Sequence, residues 1–220
     1  MTGNDTGGSP TPPSGPERRP QGRLGAASGM VVLGIAAVTY GAIALDTFLP
    51  SEAEREVAAF TPSRERPDPA ITIPGVVVQE IRGGEHVTSP DRPDERMAPP
   101  VGGPHPEHWA ACSGVAYPNP IRNAEAIHSL EHGAVWITYD PARTSDVVLQ
   151  ALTGRVTGDP YLLLSPYPGL DTSISLQAWG HRLALATAEE PRFEQFIQAL
   201  RNNPYTPPKP GGECDPVPGG

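Results

Sequence analysis

Residues 24–45 carry no charged side chain, and 22 residues drawn mainly from Ala, Gly, Val, Ile and Leu leave few folds open. As a helix rising about 1.5 Å per residue, the stretch spans about 33 Å, enough to cross a hydrocarbon core of about 30 Å. Arg18, Arg19 and Arg23 precede it; Asp46, Glu52, Glu54 and Glu56 follow it. Basic flanks stay on the cytoplasmic side of a membrane. The sequence therefore predicts a single-pass protein of the plasma membrane, its N-terminus cytoplasmic and its C-terminal part outside. Residues 24–45 form the transmembrane helix, with the lipid bilayer as partner. Gly25 and Gly29 have the GxxxG spacing of close-packed membrane helices. A rival reading is a cleaved signal peptide, because Ala42-Ile43-Ala44 resembles a small-x-small cleavage site, although the run is long for one. The pair Arg18-Arg19 matches a twin-arginine signal weakly, since Pro20 and Gln21 follow it.

That span divides the chain. Residues 1–23 are rich in Gly, Pro, Ser and Thr without apolar periodicity, and read as a disordered cytoplasmic tail. Residues 46–72 are charged, with Pro62, Pro67 and Pro69, and read as a stalk. Residues 73–203 hold the apolar patterns of an extracytoplasmic domain, and residues 204–220 are a Pro/Gly-rich tail. From Asp46 onward there are 13 basic and 23 acidic side chains, a net of −10. Such a surface repels phosphate backbones, which excludes a nucleic-acid partner. GxGxxG, Walker A, GxSxG and CxxC motifs are all absent from the sequence, so several enzyme classes lose their usual support.

Within the domain, residues 76–81, Gly83-Gly84 and residues 85–88 read as a strand, a turn and a return strand. The proline-rich residues 89–106 read as an irregular loop lying against the domain. Asn123 is placed to cap a short helix running to His132, with Gly133 as its stop. Residues 134–139 (AVWITY) read as a buried strand. A helix follows from about Ser145 to Thr153, ended by Gly154. Strands follow at residues 161–164, 173–179 and 181–186. Pro191 opens an amphipathic helix with Phe193, Phe196, Ile197 and Leu200 on one face. The order predicts an α+β fold, a small sheet with helices packed on one face, beside the N-terminal transmembrane helix.

The densest chemistry lies in His128-Ser-Leu-Glu-His-Gly133. His128 and His132 share a face whether the backbone is helical or extended, because both periods return to the same side after four residues. Neutral imidazole suits copper and zinc, so the pair can seed a transition-metal site. Four of the six histidines fall between residues 105 and 132. His105 follows the rigid PPVGGP segment, which could hold it over the pair. The metal ligands expected are therefore His105, His128 and His132, with Met97, His108 and Glu131 as second choices. A thioether from Met97 would favour copper(I). Copper stands before zinc as cofactor, and the alternative is no metal, with the histidines serving a structural or partner-binding module of the envelope. His128-x-x-Glu131-His132 also matches the inverted zinc-protease motif, with Glu131 as general base. Gly133 ends the helix too soon for that class, so no catalytic residue is assigned.

Cys112 and Cys214 are the only cysteines, and both lie on the expected outer side. An oxidising compartment favours a disulfide that ties the tail to the domain, with a soft metal ligand as the alternative.

The segments Ala98-Pro-Pro-Val-Gly-Gly-Pro-His105, Cys112-x-Gly114-x-x-Tyr117, His128-Ser-Leu-Glu-His-Gly133, Leu164-Ser-Pro-Tyr-Pro-Gly169 and Ala178-Trp-Gly180 together resemble a bacterial family. It is the membrane-anchored family called domain of unknown function 3105, seen often in actinobacteria. The likeness runs from about Pro74 to Cys214, and the family pattern also has a cysteine near its C-terminal end. The resemblance implies a single-pass anchor and an extracytoplasmic domain, and supplies no activity.

Overall fold

A computed structural model describes residues 50–81, 84–88 and 98–215. The elements in order are α1 (Glu52–Ala58), a 3-10 turn (Pro69–Thr72), β1 (Val76–Val78), β2 (Ser113–Ala116), α2 (Asn123–Glu131), β3 (Val135–Tyr139), α3 (Asp146–Val156), β4 (Leu162–Pro166), β5 (Ile174–Ala178), β6 (His181–Leu185) and α4 (Pro191–Leu200). The strands form one sheet in the order β1-β6-β5-β3-β4-β2. β4 runs parallel to both β3 and β2, while β3–β5, β5–β6 and β6–β1 are antiparallel. The fold is α+β, a mixed six-stranded sheet with four α-helices among the described residues.

Side chains alternate across β3. Val135, Ile137 and Tyr139 enter one core with Leu152 and Val156 of α3 and with Phe193, Phe196, Ile197 and Leu200 of α4. Trp136 enters a second core with Leu163 of β4 and with Ala126, Ile127 and Leu130 of α2. Helices therefore cover both faces, not the single face expected from the sequence. β3, β4 and β5 are buried at every position, and a strand buried on both sides needs a cover on each. Full burial of each Phe or Leu here contributes about 2–3 kcal/mol before entropy is counted.

The stretch read as a stalk is packed structure from Ser51 onward. Ser51 and Glu54 form a capping box at the start of α1, with reciprocal bonds of 3.2 and 2.7 Å. Phe60 packs against the first core, and Thr61 accepts a 2.9 Å bond from Gln198 of α4. Asn203 donates to the Pro67 carbonyl at 2.9 Å, and His181 Nε2 meets Asp68 Oδ2 at 2.9 Å. The predicted transmembrane residues 24–45 lie outside the described residues. Among the described residues, no helix is long and apolar enough to cross a membrane.

Other boundaries also shift. Residues 85–88 do not return onto β1, whose antiparallel partner is β6. Instead His86 bridges His105 in parallel. Asn123 is the first helical residue of α2 and not its cap; Arg122 holds that position without a side-chain bond, and Asn123 Nδ2 reaches the Tyr167 hydroxyl at 3.4 Å. α3 begins after its cap Ser145 and continues through Gly154 to Val156, because a single glycine costs a helix only about 1 kcal/mol. β2 was not expected; it is four residues long and contains Gly114.

The tail folds back onto α2. Cys112 and Cys214 form a disulfide, and Cys112 N donates to the Cys214 carbonyl at 2.8 Å. Upstream, Lys209 N donates to the Glu131 carbonyl at 3.1 Å and Gly211 N to the His132 carbonyl at 3.2 Å.

Candidate metal centre

Three segments meet beside the C-terminal end of α2. His128 and Glu131 lie one turn apart on that helix, and His132 is its C-cap, with Gly133 turning the chain at φ +100°. Ser129 Oγ donates to the Ala110 carbonyl at 2.6 Å, which fixes the helix against the segment leading to Cys112. The PPVGGP loop delivers His105, and residues 84–88 deliver His86. These two run together through Val87 N to the His105 carbonyl at 2.9 Å and His105 N to the Glu85 carbonyl at 3.2 Å. The tail closes the assembly, with Gly212 against the His132 ring. A Cβ at Gly212 would lie 2.6 Å from that ring, so only glycine fits the approach.

One ligand atom from each of His86, His105, His128 and Glu131 lies within 4.8 Å of the others. Two ligands about 2.0–2.1 Å from a shared ion are about 3.3 Å apart at the tetrahedral angle and up to about 4.2 Å apart when opposite. The cluster is therefore near the size of a metal site. The imidazole rings are mutual neighbours, with His86–His128 centroids at 4.8 Å, His105–His128 at 4.9 Å and His128–His132 at 4.6 Å.

The hydrogen bonds fix the tautomers. Nδ1 of His105 meets the Gly103 carbonyl at 2.8 Å, Nδ1 of His128 the Pro106 carbonyl at 3.0 Å, and Nδ1 of His132 the Glu213 carbonyl at 2.6 Å. A carbonyl oxygen only accepts, so each Nδ1 carries a proton. In the neutral ring, each Nε2 then presents a bare lone pair. His128 and His132 aim theirs at each other across 3.1 Å, close to the separation of two ligands on one ion. His105 Nε2 is fully buried and has no hydrogen-bond partner among the described residues; Glu131 Oε2 stands 3.5 Å away. An orphaned lone pair in a buried site costs free energy, and a cation would satisfy it. The donor set, three imidazoles and a carboxylate, suits zinc or copper(II).

The electrostatics agree with neutral rings. Burial pushes His128 down to about 4, with the neighbouring His132, His105 and His86 adding to the effect. Burial also lowers His105, against the opposing pull of the Gly103 carbonyl and Glu131. For Glu131, burial pushes the carboxyl up. The hydrogen bond from Lys209, the adjacent His105 and the Lys209 charge outweigh it, so the carboxylate is held below its ordinary value. Lys209 Nζ lies 2.9 Å from Glu131 Oε2 and 3.3 Å from His86 Nε2.

The expected ligands thus divide. His105 and His128 lie in the four-residue cluster, together with Glu131, and His132 adjoins it through His128. His108 is exposed and lines a cavity of about 400 Å³ with His86, Thr88 and Glu107. Met97 lies outside the described residues. Sequence reasoning missed His86 and Lys209. His86 gives no periodic signal, because a separate loop carries it. Lys209 does carry one: it is the sole lysine in a chain with 16 Lys and Arg residues.

The sequence pattern described as protein of unknown function (DUF3105) matches residues 86–216, more than half of the chain. The chain belongs to the DUF3105 family. The DUF3105 match begins at His86 and extends past Cys214, so it takes in the whole histidine–glutamate cluster, Lys209 and the disulfide. No curated protein and no solved structure is significantly similar to the chain.

Proposed function

We propose that this DUF3105 domain is a transition-metal-binding module, copper before zinc, displayed outside the membrane by residues 24–45. The ion is held by His105, His128 and His86 with Glu131, and His132 stands ready on the far side of the His128 lone pair. One observation carries the reading: backbone carbonyls accept from the Nδ1–H of His105, His128 and His132, which leaves the Nε2 atoms bare, with no hydrogen to share. Carbonyl bonds behind ligating histidines are the usual means of fixing tautomer and ring orientation in metal sites. A mixed imidazole–carboxylate set binds copper(II) more tightly than zinc, which puts copper first.

An inverted zinc protease would use His128 and His132 as ligands and keep Glu131 apart as base. Here Glu131 lies with His128 in the cluster, which supports binding over hydrolysis. Calorimetric titration of the full-length chain with copper(II) and zinc(II) tests the proposal. One equivalent should bind, and the folded double variant His105→Ala/His128→Ala should lose at least about 100-fold in affinity. Equal affinity in the double variant would place any binding elsewhere.

A further inference from the structure

Fifteen of the sixteen basic side chains outside the histidines are arginine; the sixteenth is Lys209, and it sits at the mouth of the metal cluster. Its backbone is pinned there, since Lys209 N donates to the Glu131 carbonyl and Gly212 N donates to the Lys209 carbonyl, both at 3.1 Å. The disulfide at Cys214 anchors the same segment. The side chain is therefore delivered to the site from a fixed backbone, with solvent on one side of it. Glu131 is 2% exposed, whereas the Lys209 side chain is 50% exposed. The ammonium donates to Glu131 Oε2 and His86 Nε2, the same two groups that would take part in holding an ion.

A buried carboxylate without a counter-charge is costly, so some cation must accompany Glu131 when no metal does. Lysine suits a temporary occupant better than arginine. Its ammonium is a compact, strongly hydrated point charge on a flexible stem, with no bidentate fork to hold it against a competitor. We infer that Lys209 is a built-in competitor for the metal, its ammonium filling the carboxylate–imidazole half of the site until an incoming transition metal displaces it into solvent. The inference rests on the metal-binding reading above. It adds a consequence: metal occupancy is reported outward as the release of one lysine, and ions too weak to eject the ammonium are refused.

The test uses the full-length chain. Lys209→Met keeps the apolar stem and removes the charge; it should bind copper(II) or zinc(II) about tenfold more tightly, the scale of one hydrogen bond to a charged group. Lys209→Arg retains the charge and should not gain that affinity. Because Lys209 is the sole lysine, an amine-reactive reagent read by peptide mass spectrometry reports on it in a peptide separate from the α-amino group. Adding metal should raise its labelling rate several-fold. If the wild type binds metal but Lys209→Met binds equally or more weakly, or labelling is unchanged by metal, Lys209 is not a competitor and the metal reading stands alone. If neither protein binds metal, both readings fall together.

Discussion

Acidification should weaken the metal-free protein through His128. That ring is 3% exposed, and burial pushes its pKa down to about 4, from 6.5 in the unfolded chain. The unfolded chain accepts a proton that the folded protein resists. A depressed pKa means that the stabilisation is complete above pH 6.5 and is lost as the pH falls from 6.5 towards 4. Two-state linkage with those values gives a loss of about 2 kcal/mol at pH 5 and about 3 kcal/mol at pH 4. His105, also lowered by burial, adds a loss of the same sign. Glu131, held below its ordinary value by Lys209 and the adjacent His105, contributes a loss of the same sign as the pH falls. The assay is urea unfolding of the full-length chain with a chelator, from pH 7.5 to 4.5, for wild type and His128→Leu. The leucine does not titrate, so its variant should lose about 2 kcal/mol less than wild type between pH 7.5 and 5. An equal loss in both proteins would refute a neutral, buried His128 and remove the basis for a ready-made ligand.

Three further outcomes follow from the same geometry. Replacing Cys112 and Cys214 by serine opens a link between residues 102 apart in sequence and should cost up to about 4–5 kcal/mol in urea unfolding; thiol labelling of the denatured, unreduced wild type should find no free cysteine. His181→Ala removes a ring bonded to the Trp179 carbonyl and to Asp68, and should cost about 1–3 kcal/mol while leaving metal affinity unchanged. Protease added to intact spheroplasts should digest the domain and spare the N-terminal tail; protection of the domain would reverse the proposed topology, and a mature form beginning near Leu45 would support signal cleavage.

The legible parts of this chain were those with local periodicity. The i, i+3, i+4 placement of His128, Glu131 and His132 put three polar groups at one helix end, and Phe193, Phe196, Ile197 and Leu200 marked the buried face of α4. The second face of the sheet was harder to read. AVWITY has no polar–apolar alternation, which is itself the mark of a strand covered on both sides. The packing of residues 51–72 was hidden by their charge and prolines, although Ser51-x-x-Glu54 is a capping-box signature. His86 could not be placed because its partner is the backbone of a proline-rich loop, a contact set by tertiary structure alone. The tail looked featureless, yet it supplies the Glu213 carbonyl behind His132 and the ammonium beside Glu131.

The most direct test of the metal centre is X-ray absorption at the metal edge of the copper(II)-loaded full-length chain. The account predicts a first shell of nitrogen and oxygen at about 2.0–2.1 Å with the outer-shell scattering of two or three imidazoles, and loss of most imidazole scattering in His105→Ala/His128→Ala. A bound ion without imidazole scattering, or a spectrum unchanged in the double variant, would contradict it.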